Sequence, residues 1–415
     1  MTLPLELHIP VDRRRERWLV LALAGLTDTL AIAAPGMSLS VLFKEISGDL
    51  SLSLVQVGVI WGIGALPTIL TSLLSGAIND RFGPKRVMFW GTILVSLSGG
   101  LRGLADSFTG LAASVILTGL LAPLVIMSGI KMCGVWFPIR QLGLANGILS
   151  LGMALGFLLG SLLSATVLSP WLGGWRNVMF FYAGLGFLVG LPWLLTPAAP
   201  EASRQLGQKA VSISMRQAVK HVFRLDTIWR YGLALMGYNG CVQGALGYIP
   251  LYLRGSGWSP ARADGALSMF HMTSMLFVLP LAQLSDRLGK RKNLLLVLGL
   301  MMASGIGWLS AARGWNVWAA VILAGMVRDG FMAVYMTSIV ETEGIGPTYA
   351  GTATGFTLIF SSLGSLLAPP IGNRLAEISP GLPFVFWSAL AILGMVSLAS
   401  IKIRTFNTGA KGQTE

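Results

Sequence analysis

The stretch Gly76-Ala-Ile-Asn-Asp80-Arg81-Phe-Gly83-Pro-Lys85-Arg86 limits what this chain can fold into more than any other. It is a charged turn between two apolar runs, Leu50 to Asn79 and Val87 to Leu101, neither of which holds a charged residue. Such a turn belongs at a membrane surface. About 206 residues later it returns as Ala282-Gln-Leu-Ser-Asp286-Arg287-Leu-Gly289-Lys290-Arg291-Lys292, half of the 415-residue chain away, which implies two related halves. Gly76 is read as a point of close helix approach, and Asp80 as an acceptor for N–H groups at a neighbouring helix start. Gly83 and Gly289 supply a tight reversal, and the basic residues hold the turn on the inner side.

Apolar residues form 54% of the chain and charged residues 11%, against about 25% charged in a soluble domain. Nucleic acid is a poor explanation of the net charge of +13, because the basic residues are spread over short loops. Cys133 and Cys241 are the only cysteines and lie inside apolar runs, so no disulfide framework, redox pair or metal site is expected, and no cofactor. A spanning helix needs about 20 apolar residues. Twelve segments qualify, near 18–43, 53–79, 86–105, 108–136, 141–168, 175–196, 227–253, 263–285, 293–312, 315–340, 348–373 and 382–402. Barrel strands would need shorter runs with period-two alternation. The fold class is therefore an all-α integral membrane protein of twelve transmembrane helices. With the N-terminus inside, twenty-one Lys and Arg fall in inner segments and seven in outer ones, which predicts two cytoplasmic termini and a multi-pass protein of the cell membrane.

The predicted organisation is a tail over 1–17, a six-helix bundle over 18–196, a cytoplasmic linker over 197–225, a second bundle over 226–403 and a tail over 404–415. Within the linker, Met215 to Phe223 suits a short interfacial helix. Leu159-Gly-Ser-Leu-Leu163 recurs as Leu363-Gly-Ser-Leu-Leu367, in register with the charged turns, as in a parallel repeat. Gly152, Gly156 and Gly160 form a small-residue ridge for close packing, with sliding during gating as the sharper reading.

The Gly76–Arg86 turn resembles the signature between spans two and three of the major facilitator superfamily (MFS), with Pro84 where a basic residue is usual. Trp136-Phe-Pro-Ile-Arg-Gln-Leu-Gly143-Leu-Ala-Asn-Gly147 is similar to that family's turn after span four, with Leu142 in place of an Arg. The family's arginine early in span four has no counterpart near Ser114. The resemblance implies two pseudo-symmetric six-helix bundles around a central cavity, with rocking-type alternating access through spans one, four, seven and ten.

A charge inside the bilayer marks a functional site by default. Asp28, Lys131, Arg328 and Asp329 lie within predicted spans one, four and ten, and Asn239 and Gln243 share a face of span seven at i, i+4. These six are the candidate solute-binding residues. Arg328 and Asp329, about 100° apart around one helix, are expected to need separate partners. Pairing of Asp28 with Arg328 and snorkelling of Lys131 are the structural alternatives. Asp28, Asp329 and His271, the one histidine within a span, are the candidates for proton coupling. Trp61, Tyr238, Phe331 and Tyr335 are either cavity walls or packing.

No HExxH, GxSxG, P-loop or paired His/Cys spacing occurs in a suitable setting, which argues against an enzyme and against an ATP-driven pump. The leading expectation is a secondary active transporter of a small polar or anionic organic solute, with proton coupling left open, acting as a monomer. An exporter of amphipathic drug-like compounds and a receptor on the same scaffold are the alternatives.

Overall fold

The computed structural model describes residues 14–197 and 215–401 and is helical at each of the twelve predicted positions. In chain order the helices are α1 (Arg15–Asp49), α2 (Leu54–Ile63 continued by Ala65–Phe82), α3 (Pro84–Leu104), α4 (Phe108–Trp136), α5 (Arg140–Leu172) and α6 (Trp175–Leu194). The second half holds α7 (Asp226–Gly255), α8 (Pro260–Leu288), α9 (Arg291–Trp308), α10 (Trp315–Val340), α11 (Gly346–Leu375) and α12 (Leu382–Ala399). Ten of these are long and apolar enough to cross a membrane; α7 and α9 fall short in hydropathy. The reason in α7 is its load of Asn239, Gln243, glycines and tyrosines on a helix largely buried among its neighbours. A helix is present at Met215–Phe223, where the short interfacial helix is predicted, while residues 198–214 of the predicted linker, most of the N-terminal tail and all of the C-terminal tail lie outside the described residues.

Pairing of helices repeats between the halves. In the first, α1 packs on α5 and α6, α2 on α4, and α3 on α4 and α6; in the second, α7 packs on α11 and α12, α8 on α10, and α9 on α10 and α12. The two repeated turns serve the same purpose. Lys85 Nζ donates to the carbonyls of Leu194 and Thr196 at the end of α6, and Lys292 Nζ donates to those of Ala399 and Ile401 at the end of α12. Each lysine thereby meets the negative pole of its half's last helix. Gly83 and Gly289 have φ of 80° and 61°, the left-handed geometry expected of them. Gly76 differs from expectation: a Cβ there would meet nothing within 4 Å, so it brings no helix close in this conformation.

Two helices depart from regularity for identifiable reasons. Pro35 lacks an N–H and its ring crowds the carbonyl four residues back, and α1 widens into a π-helical segment at Asp28–Ala33 just before it. In α2 the ladder breaks at Gly64, ahead of Pro67, where Gly119 of α4 crosses against the Gly64 carbonyl. The glycine ridge of α5 carries out its packing role along α1. A Cβ on Gly156 would stand 2.6 Å from the Thr29 carbonyl oxygen and 2.5 Å from Ala33 Cβ. Gly156→Val is therefore expected to cost about 1–3 kcal/mol by overpacking, read as a lowered unfolding temperature in detergent. Unchanged stability would mean that α1 and α5 can separate freely here.

The halves meet asymmetrically. We call the end carrying Gly83 and Gly289 the turn end, and the opposite one the far end. Among the described residues, each hydrogen bond joining the halves lies toward the far end. Ser40 donates to the Leu246 carbonyl, Trp61 Nε1 to the Gln243 carbonyl at 2.7 Å and Asn373 Nδ2 to the Leu54 carbonyl at 2.9 Å, while Ser161 meets Ser268 at 3.0 Å. Glycines allow the backbones to touch: a Cβ on Gly62 would lie 2.7 Å from the Ser365 carbonyl oxygen, and one on Gly58 2.7 Å from Pro370 Cα. Toward the turn end, Gly143 and Gly147 of α5 and Gly351 and Gly355 of α11 face nothing within 4 Å. The bundles are joined at the far end and parted at the turn end.

Candidate functional site in the centre of the bundle

Arg328 sits midway along α10. Its guanidinium lies 5.1 Å from the ring centroid of Phe157, which comes from α5 in the other half. Its Nη1 is 3.2 Å from Asp329 Oδ1, which corrects the expectation that these neighbours cannot meet. The long, flexible arginine side chain bends back across the 100° between them. Asp329 Oδ2 also accepts from Ser274 Oγ of α8 at 2.7 Å. The Arg328 and Asp329 side chains are 19% and 31% exposed, so the pair is only partly buried.

Beneath Phe157 lies His271 of α8, 1% exposed, with ring centroids 5.5 Å apart and an interplanar angle of 31°. Among the described residues neither His271 ring nitrogen has a hydrogen-bond partner. Tyr238 of α7 donates to the carbonyls of Arg328 and Val327 at 3.3 and 3.4 Å and stacks on Phe331 at 3.7 Å. Tyr238, Phe331 and Tyr335 are all at most 1% exposed, and they brace α10 against α7 rather than forming walls. Trp61 belongs to the far-end seam.

The other predicted residues are spread along the axis. Asp28 is 3% exposed at the start of the π segment, with one carboxylate oxygen lacking a partner among the described residues and no ion pair to Arg328. Asn239 Nδ2 donates to Ser361 Oγ of α11, and Gln243, half-buried, lends its carbonyl to Trp61. Lys131 lies on the first turn, pairing with Asp80 and donating to the Gly76 carbonyl at 3.2 Å. In the second turn Arg291 bridges Asp286 at 3.1 Å and Glu341, just after α10, at 2.7 Å. Asp80 thus meets a side chain of its own half in place of a helix start. Arg81, Arg86 and Arg287 are exposed at the same end.

The group that comes together at the centre is drawn from α5, α8 and α10, and Phe157 and Ser274 were not foreseen. A signal existed: Ser268, His271 and Ser274 recur at steps of three, a polar stripe down one face of α8. Two arginines assigned to outer loops are instead buried. Arg102 donates to the Pro35 carbonyl at 3.1 Å, and Arg254 Nη2 grips both carboxylate oxygens of Asp264 at 2.6 Å. Among the described residues no cluster of three His, Cys, Asp or Glu could hold a metal ion.

The model of the Major Facilitator Superfamily matches residues 18–369. The chain belongs to that superfamily. A probable nitrate/nitrite antiporter of Thermus thermophilus is 27% identical over 94% of this chain and 93% of its own length. A probable sulfoacetate transporter of Cupriavidus necator is 26% identical over 90% of both. The fold matches that of a bacterial homologue of the human lysosomal transporter Spinster, described as inward-facing and unoccupied, with a TM-score of 0.74 at 18% identity over 93% of this chain and 96% of that one. This MFS protein is thus a multi-pass membrane transporter of a small solute and not an enzyme.

Proposed function

We propose that this MFS transporter carries a small organic anion, and that Arg328 is the group that binds its negative charge. The observation behind this reading is a guanidinium at the midpoint of the bundle, 19% exposed, whose ionic partner Asp329 is also held by Ser274. An arginine so placed keeps part of its planar fork free for a carboxylate or sulfonate. Relatives named for nitrate and for sulfoacetate support an anion over a cation. Asp28 is the carboxyl assigned to proton coupling, since it is buried without a cationic partner among the described residues. Lys131 is assigned to the Asp80 turn, as a tie that holds the turn end in its present form. The positive-inside bias puts that end in the cytoplasm of a cell whose plasma membrane the protein spans, so the present conformation opens inward.

A thermal-shift screen of purified protein tests the reading, because a ligand of the folded state raises apparent stability by mass action. Carboxylates and sulfonates are expected to stabilise, whereas sugars and organic cations are not. Run at two pH values, the anion shift is expected to respond to pH in the wild type and to stop responding in Asp28→Asn. Stabilisation by cations alone would overturn the anion assignment.

A further inference from the structure

Arg102, at the end of α3, is 4% exposed, and among the described residues no carboxylate pairs with it. Its one hydrogen bond there runs from Nη1 to the Pro35 carbonyl at 3.1 Å, and its Nε is enclosed without a partner. Arg254 shows the contrast. That guanidinium, also buried, holds both carboxylate oxygens of Asp264. An arginine stays charged inside a protein, and a charge taken out of water without a counter-charge is costly. Arg102 therefore calls for a negative partner that the described residues do not supply.

Arg102 also lines a cavity inside the first half, between α1, α3, α4 and α6. The cavity leaves about 20 Å³ for the centre of a water-sized sphere. Since roughly 10–15 Å³ by that measure holds one water, there is room for one small ion and none for an organic solute. Gly36 of α1 and Gly99 of α3 line the same space, and a Cβ on either would meet nothing within 4 Å. Neither glycine has a positive φ. Glycine is unfavourable inside a helix relative to alanine, so neither packing nor backbone geometry accounts for the pair, whereas room beside Arg102 does. Ser96 and Thr118, which also line the cavity, donate to the Thr92 and Ser114 carbonyls of their own helices at 2.7 and 2.9 Å, which leaves the guanidinium as the main donor. Ile32, Val95 and Met179 make the wall otherwise apolar, which suits one negative charge better than two.

We propose that Arg102 holds a small monovalent inorganic anion of about the size of chloride, as a fixed counter-ion within the first half. This site is separate from Arg328 and does not rest on the reading of the transported solute. The bound ion completes the link between α3 and α1 at Pro35, just past the π segment.

The experiment is thermal unfolding of the full-length protein in a non-ionic detergent, with gluconate replaced stepwise by chloride at constant ionic strength, in wild type, Arg102→Gln, Gly36→Leu and Arg328→Gln. Chloride is expected to raise the wild-type Tm saturably by about 2–4 °C, and bromide should do the same. Arg328→Gln should keep the rise. Arg102→Gln removes the charge and should lose it, and Gly36→Leu, which keeps the arginine but fills the space beside it, should lose it too. If Arg102→Gln does not fold, Gly36→Leu and the anomalous scattering of wild-type crystals grown in bromide carry the test, with a bromide peak expected beside Arg102. A wild-type Tm indifferent to chloride, or bromide density elsewhere only, would mean that water alone solvates the guanidinium, and the proposal fails. A chloride response that survives in Arg102→Gln or in Gly36→Leu overturns it as well, and one that disappears in Arg328→Gln instead would place the ion in the central site.

Discussion

Arg328→Gln is expected to weaken binding of the transported anion by roughly 30- to 1000-fold, and to reduce uptake into proteoliposomes in step. Removing one member of a partly buried charge contact costs about 2–4 kcal/mol, with each 1.4 kcal/mol a factor of ten. Glutamine keeps the length and a hydrogen-bond donor, so the loss reports the charge and the fork. Arg328→Lys should fall between the two, since a lysine retains charge without planar two-point geometry. Affinity within threefold of wild type in Arg328→Gln would show that the anion is held elsewhere, and Arg328 would then be a structural mate of Asp329 and Phe157.

The second large effect is expected at the far end. Gly62 of α2 meets the backbone of α11 so closely that a Cβ would lie 2.7 and 2.8 Å from two carbonyl oxygens, of Ser365 and Leu366. Backbone cannot step aside as a side chain can. Gly62→Val should therefore destabilise the joined far end by about 1–3 kcal/mol, shifting the balance of states by about 5- to 150-fold toward one open there. Transport should fall by a similar factor while the protein remains folded. The readout is a cysteine at Leu246, which is 1% exposed beside Ser40 in the joined state. An impermeant maleimide should label Leu246→Cys faster when Gly62→Val is also present. Cys133 and Cys241 are buried and contribute little background. Wild-type transport with no gain in labelling would show that the far-end contacts do not gate the path.

Much of the scaffold could be read from the chain because bilayer physics leaves few choices. Apolar length fixed the helices, and the Asp80 and Asp286 turns fixed the halves and their register. Boundaries moved where polar residues extend a helix beyond its apolar core: α1 continues through Lys44 and Glu45 to Asp49, and α8 begins at Pro260 ahead of Arg262 and Asp264. The charged residues of spans one, four and ten were easy to identify, since each one is rare and conspicuous; Asp264 and the serines of span eight were passed over. Partners were harder to identify. Lys131 and Asp80 are 51 residues apart and meet because α4 packs on α2. Phe157 meets His271 and Arg328 across the seam, a relation that no periodicity within one helix encodes. Arg254, counted as a loop charge, forms a buried pair with Asp264 of predicted span eight because α7 extends past the apolar run that announced it.

The lysines that close each half onto its last helix also bear on how such a chain could arise. Lys85 fastens to the end of α6 and Lys292 to the end of α12, so neither bundle borrows this closing bond from the other. A six-helix ancestor with one such clasp would already have been a finished block before any copying of its gene. Two blocks on one strand then need only agree on a shared seam.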